Sequence, residues 1–261
     1  MKPENAALIV RPPGWAARGG AVKLPREPPL PSNATPMSTE SAAPPRVCVV
    51  TSGQARIFRT CTDLLLRQLG VAEHAIDFHA LFWDDTDLDK TREALAGFRE
   101  TTLWTHPRVQ FNEDFSAYAK PPETNVHNFL SMIWGRRLLL DKLREAGAFE
   151  RYDLFVFVRL DTCFNRPLDY AAMAGLLRQH NALLPVNGHW RDGWSDQFFA
   201  GRAPALQTWL GFADRVKGYL GEGVLLHPET LLKHHMVSNG LDAAPLITTF
   251  IWRSDVVFNV G

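Results

Sequence analysis

The sequence is short of several things, and each shortage removes a class of protein. It has no net charge: Lys plus Arg number 28, and so do Asp plus Glu. A dedicated nucleic-acid binder needs a basic footprint to neutralise phosphates, so nucleic acid is not an expected partner. Cysteine is scarce. Cys48, Cys61 and Cys163 are the only three, and no two have CxxC spacing. An odd, sparse set argues against a disulfide scaffold and fits a reducing compartment. No apolar run approaches the roughly 20 residues that span a bilayer, so no transmembrane segment is expected. A local patch in peripheral contact with a membrane surface stays open. The apolar run at residues 6–10 ends at Arg11. It is shorter than the h-region of about 7–15 residues that a secretion signal needs. The expectation is a cytoplasmic protein, in which the sequon Asn33-Ala34-Thr35 has no role. No internal repeat is evident.

Proline is abundant, but only at one end. Residues 1–45 hold 10 of the 18 prolines, including Pro12-Pro13, Pro28-Pro29 and Pro44-Pro45. Proline lacks a backbone donor and fixes φ, so neither a helix nor a sheet ladder runs through such a stretch. Residues 1–45 read as a disordered, Pro-rich tail. Residues 46–261 read as a single domain, and 46% hydrophobic content suffices for one substantial core.

Within that region, strand and helix patterns alternate. Val47-Cys48-Val49-Val50-Thr51 is a continuous apolar run ending at Ser52-Gly53, the mark of a buried parallel strand and tight turn. Ile57, Cys61, Leu64, Leu65 and Leu69 have helical spacing, and Gly70 follows as a C-cap. A second strand covers residues 76–82 and runs into the acidic loop Asp84-Asp85-Thr86-Asp87. A short helix near residues 90–98 and a weak strand at 108–111 come next. Residues 125–147 carry the longest helical pattern, with Asn125 as N-cap and Gly147 as stop. Residues 152–160 hold the strongest strand signal, Leu154-Phe155-Val156-Phe157-Val158, apolar on both faces. Further helices are expected near 170–179, 203–216 and 228–239. Further strands are expected at 183–184, 197–201 and 246–251. The alternation implies an α/β three-layer sandwich with a mostly parallel central sheet.

Ligands of open α/β sheets bind outside the carboxyl ends of the strands. That rule selects Ser52, Gly53, Gln54 and Arg56 after the first strand, and Arg159-Leu160-Asp161 after the central one. Positions i and i+2 share a strand face, so Arg159 and Asp161 are expected to act together, on a ligand or as an internal ion pair. Asp196 follows Trp190-Arg191-Asp192-Gly193-Trp194-Ser195, a loop of aromatics and carboxylates of the kind that suits sugar binding. The competing reading tucks Trp194 into the core. His227 and Glu229 flank Pro228 at a helix start, where Glu229 also suits the helix dipole. His234 and His235 are adjacent on a helix and so face apart.

Four of these segments, in order, resemble a known pattern. Phe157-Val158-Arg159-Leu160-Asp161 resembles the strand-end acidic motif of GT-A-type glycosyltransferases. The form is the v-R-x-D variant found in uncharacterised microbial glycosyltransferase-like families. Ser52-Gly53-Gln54-Ala55-Arg56 resembles their opening loop. Asp196-Gln197-Phe198-Phe199-Ala200-Gly201 resembles their "D-Q-hydrophobic-G" segment, and His227-Pro228-Glu229-Thr230-Leu231-Leu232 their late helix start. The resemblance implies a GT-A-like fold that moves a sugar from a nucleotide-sugar donor to a glycan, lipid-linked glycan or other hydroxyl acceptor. It implies Ser52, Gly53, Gln54, Arg56, Arg159 and Asp161 on the donor, and Asp196 and Glu229 as catalytic carboxylates. Arg159 stands where the usual DxD motif has its first aspartate. Two ways of neutralising the diphosphate follow: Mn²⁺ or Mg²⁺ held by Asp161 and His227, or direct contact from Arg159 and Arg56. Two other functions stay in view. One is a nucleotidyltransferase-like α/β enzyme, for which a Gly-rich, Lys-bearing first loop is expected. The other is a non-catalytic carbohydrate- or nucleotide-binding relic of the same fold.

Overall fold

The computed structural model describes residues 44–55, 59–112, 114–164, 166–186, 189, 191–246 and 250–252. The expectations for residues 1–43 of the tail, for Arg56 and for Trp190 fall outside them. The elements in chain order begin with β1 (Val47–Gly53), α1 (Arg59–Leu69), β2 (Asp77–Trp83), α2 (Leu88–Ala94) and β3 (Glu100–His106). Next come α3 (Val126–Glu145), α4 (Ala148–Arg151), β4 (Leu154–Val158), β5 (Thr162–Phe164) and α5 (Tyr170–Leu176). The chain continues through β6 (Ala182–Pro185), β7 (Phe198–Gly201), α6 (Ala203–Leu210), a 3₁₀ turn at Gly211–Arg215 and α7 (Val216–Gly221). It closes with α8 (Pro228–Ser238), β8 (Ala243–Leu246) and β9 (Phe250–Trp252).

Seven strands form one mixed, mostly parallel sheet in the order β3-β2-β1-β4-β7-β6-β8. The pairs β1–β2, β2–β3, β1–β4 and β6–β8 are parallel. Only β7 runs against its neighbours, pairing antiparallel with β4 and β6. From β1 the chain steps outward to β2 and β3, then returns to place β4 on the other side of β1. The strand order therefore reverses between β1 and β4, and such a switch point leaves a crevice at the carboxyl ends of the two strands.

Every residue of β4 is buried, because alternate side chains enter separate cores. Phe155 and Phe157 pack with α3 and α6 through Leu139, Leu140, Leu206 and Trp209. Val156 and Val158 pack with Leu65, Leu69 and Met173 of α1 and α5. Each such side chain contributes roughly 1.5–3 kcal/mol on burial, which holds β4 in place beneath whatever its end presents.

The sequence pattern misplaces two elements. No strand forms at 108–111; the third strand is Glu100–His106. As an edge strand carrying Thr101, Thr102 and Thr105, it shows little apolar periodicity, and Pro107 marks its end. β4 stops at Val158, so Arg159 and Asp161 belong to a turn rather than to a strand face. The Thr162 N–H (3.3 Å) and hydroxyl (2.8 Å) both donate to the Arg159 carbonyl, which closes that turn. β5 then leaves the main sheet to pair with β9. Of the expected last strand at 246–251, Leu246 closes β8 and Phe250 opens β9, and residues 247–249 lie outside the described residues. The helix caps agree with expectation: Asn125 accepts from the Asn128 N–H at 3.0 Å, and Gly70 has φ of 64°.

At the amino end of the sheet, β2 buries two polar residues. The Tyr152 hydroxyl donates to Asp77 at 2.8 Å, Arg99 Nε donates to Asp77 at 2.7 Å, and His79 Nε2 lies 3.1 Å from the Tyr152 hydroxyl. Burial works against the Asp77 charge, but the bonds from Arg99 and Tyr152 outweigh it and hold the carboxyl below its usual range. Burial, aided by Arg151, holds His79 below its ordinary value, so it is neutral in the fold. Both depressed groups lose their contribution on acidification. The His79 part is complete above about pH 6.5 and fades as pH falls through the lowered folded value; the Asp77 part follows at lower pH. Glu229, whose carboxyl is raised to about 7 chiefly by burial, gains stability on acidification over the same range, so the His79 part is read as a difference between two chains. The Tm advantage of the parent chain over His79→Gln is expected to shrink as pH falls below about 6.5. Thermal unfolding across pH checks this; an advantage that stays constant with pH would refute it.

Candidate functional site

A pocket of about 410 Å³ opens at the carboxyl ends of β1, β2 and β4, over the switch point. Thr51, Ser52, Gly53 and Gln54 line it from β1, Trp83 from β2, and Arg159, Leu160 and Asp161 from beyond β4. The first turns of α3 add Asn125, Asn128 and Ser131, and the start of α8 adds His227, Pro228 and Glu229. Gly53 has φ of 105°, a conformation open to glycine, and it lets β1 turn beneath the pocket. A second cleft, about 370 Å³, lies at the amino ends of β1 and β4 against Pro45 and Asp153, away from this group of polar residues.

Arg159 and Asp161 form a two-pronged ion pair. Arg159 Nε donates to Asp161 Oδ1 at 2.9 Å and Nη2 to Oδ2 at 2.7 Å. The Asp161 side chain is buried and that of Arg159 is 31% exposed, so the guanidinium is the more accessible half of the pair. Burial opposes the Arg159 charge, but Asp161 outweighs it and the arginine is held firmly cationic.

Two further carboxylates belong to this region, buried Asp196 and half-buried Glu229. Glu229 lines the pocket; Asp196 lies behind the wall, 3.8 Å from the guanidinium of Arg136. Burial, reinforced by the Asp196 charge, lifts the Glu229 carboxyl to about 7 against a weaker opposing backbone hydrogen bond. Its position in the first turn of α8 favours the charged form, yet desolvation wins. His227 Nε2 is 3.4 Å from Glu229, and its Nδ1 is 3.1 Å from the Thr230 hydroxyl. Burial, with Arg191 nearby, keeps this imidazole neutral.

Arg136 was not among the expected site residues. It is 1% exposed, donates to the Asp196 carbonyl oxygen, and lies over the rings of Trp209 (4.0 Å) and Phe157 (5.1 Å). Its Nε and Nη1 have no hydrogen-bond partner among the described residues. Burial brings its pKa down to about 10, and Asp196 opposes that fall. The signal was available in the sequence: Phe129, Ile133, Arg136, Leu140 and Leu143 follow one helical stripe, so a cation occupies an apolar position.

The loop carrying Asp196 is clasped to α8. The Trp194 N–H donates to the Glu229 carbonyl at 2.9 Å, and Lys233 donates to the Asp192 carbonyl at 2.8 Å. Gly193 packs so closely that an added Cβ would overlap the Glu229 backbone. Arg191 (φ 48°) and Asp192 (φ 59°) adopt left-handed backbone here, and Arg191 pairs with Glu123 at 2.7 Å across the pocket mouth. Trp194 packs on the core rather than into the pocket, so the core reading of that ring is the one observed. His235 faces Tyr219 and the Thr208 carbonyl, while His234 faces Glu222. Among the described residues, no group of three or more His, Cys, Asp or Glu side chains is placed to hold a metal ion. Nor is any helix among them long and apolar enough to cross a membrane.

No protein-family model matches the sequence, and no curated protein matches it. One solved structure of similar fold is a nucleoside-diphosphate-sugar pyrophosphorylase from Vibrio cholerae RC9. The match has a TM-score of 0.51 at 9% identity, covering 82% of this chain and 98% of the other. At that identity the likeness concerns the fold alone.

Removing a partner from a buried ion pair leaves the other charge uncompensated and costs about 3–5 kcal/mol. Arg136→Met is expected to cost that much, and Arg136→Met with Asp196→Leu to recover a large part of it. Denaturant unfolding of the single and double variants measures the coupling. Additive losses would show that the pair does not stabilise the site.

Proposed function

We propose that the protein is a GT-A-like glycosyltransferase, in the three-layer arrangement of that class. It moves a sugar from a nucleoside-diphosphate sugar to an acceptor hydroxyl, on a glycan or a lipid-linked glycan. The observation that carries this reading is the switch-point pocket, which is lined both by a fixed cation, Arg159, and by a carboxyl group raised to about 7, Glu229.

The roles follow from position. Ser52, Gly53 and Gln54 close the end of β1 and offer backbone and amide groups to a base or phosphate; Arg56 is assigned beside them from the sequence pattern. Arg159, oriented by Asp161, meets the donor diphosphate. Glu229 takes the acceptor proton: as the acceptor oxygen bonds to the sugar anomeric carbon, the bond from that carbon to the diphosphate breaks and the diphosphate leaves with the electron pair. A base with pKa near the working pH suits that transfer. Asp196 adds to the burial that raises the Glu229 pKa, with Arg136 holding Asp196 in place.

The Vibrio cholerae neighbour is by its name a nucleoside-diphosphate-sugar pyrophosphorylase, which gives nucleotidyl transfer a specific claim. The first loop here, Ser52-Gly53-Gln54-Ala55, carries no lysine, and sugar transfer accounts better for a neutral-range base on the pocket wall. The two are separated by products: sugar transfer releases nucleoside diphosphate, and nucleotidyl transfer from a nucleoside triphosphate releases pyrophosphate. A pocket that binds donor but turns over no acceptor would point to the non-catalytic relic instead.

A base must be deprotonated, so kcat/KM is expected to rise with pH through about 7 and level off above it. Glu229→Gln should remove that rise and lower kcat by about 10²–10⁴-fold, the usual range for a general base. A pH profile unchanged in Glu229→Gln would reject Glu229 as the base.

A further inference from the structure

A nucleotide-sugar site must offset the charge of a diphosphate, and the sequence resemblance leaves two ways to do so: a divalent cation on Asp161 and His227, or direct contact from Arg159 and Arg56. The donor set for a cation fits poorly. Both carboxylate oxygens of Asp161 are taken by the two prongs of Arg159. His227 Nδ1 faces Thr230, and its Nε2 faces Glu229. A cation on Asp161 would also sit against the Arg159 guanidinium, and like charges at that range repel.

The guanidinium itself has the complementary shape. Asp161 engages Nε and Nη2, leaving Nη1 with no hydrogen-bond partner among the described residues. Arg159 is half of a fixed fork, it lines the pocket, and its partner is buried beneath it. An arginine gripped on one edge by a carboxylate loses little side-chain freedom when its other edge takes an oxyanion. The pocket lies above the end of β1, where the Gly53 turn brings backbone close.

Resting on the nucleotide-sugar reading, we propose that the pocket binds the donor diphosphate on the free edge of Arg159, with Asp161 as the positioning residue for that guanidinium, and that this binding is independent of a divalent cation. Asp161 therefore contributes by aiming an arginine rather than by ligating a metal.

Isothermal titration of the full chain with UDP, GDP and pyrophosphate, each in EDTA and in Mn²⁺, tests the proposal. At least one nucleoside diphosphate should bind in EDTA with an affinity within about twofold of that in Mn²⁺. Arg159→Lys keeps the charge but loses the fork, and should weaken that binding about tenfold or more in both conditions. Asp161→Asn should also weaken it, with the loss unaffected by Mn²⁺. Thermal unfolding of each unliganded variant establishes that it is folded. Binding that appears only with Mn²⁺ and vanishes in Asp161→Asn would overturn the proposal while leaving the nucleotide-sugar reading intact. No binding of either nucleoside diphosphate under any condition would remove both.

Discussion

A buried positive charge is the constraint around which the site is arranged. Arg136 lies on the apolar stripe of α3, buried from solvent. It is held by two aromatic faces and by the carboxylate and carbonyl oxygens of Asp196. That requirement fixes Asp196 behind the pocket wall and draws the loop ahead of β7 against α3. Burial, reinforced by the Asp196 charge, in turn raises Glu229, the carboxyl that lines the pocket. One cation on a core helix thus anchors a carboxylate beside the one that lines the pocket.

The second constraint is topological. Because strand order reverses between β1 and β4, no crossover helix fills the space above their carboxyl ends, and the pocket opens there. The apolar residues of β4 are locked into cores on both faces, so the Arg159–Asp161 turn stands on a rigid support. The polar network of Asp77, Tyr152, His79 and Arg99 secures the opposite end of the same strands. Stability and function are in this way separated along the strand direction.

Much of this was legible from the residues alone. β1, β4 and α3 are marked by runs and periodicities that burial on both faces enforces, and the carboxyl-end rule led directly to Ser52, Gly53, Arg159 and Asp161. β3 was not legible, since an edge strand of threonines needs no apolar alternation. The Arg159–Asp161 pairing was read from strand periodicity but arises from a turn, because β4 ends at Val158. Arg136 was overlooked although its place in the α3 stripe marked it. The division of labour between Asp196 and Glu229 was not readable, because it depends on which side chain a neighbouring helix leaves behind the wall.

The central claim is that the free edge of Arg159 receives the diphosphate of a nucleotide. A crystal structure determined with UDP or GDP bound tests it most directly. The expected result is a phosphate oxygen about 3 Å from Arg159 Nη1, the hydrogen-bond range, with the Asp161 fork intact and Glu229 facing the remaining space. A nucleotide bound elsewhere, or a diphosphate held away from Arg159, would contradict it.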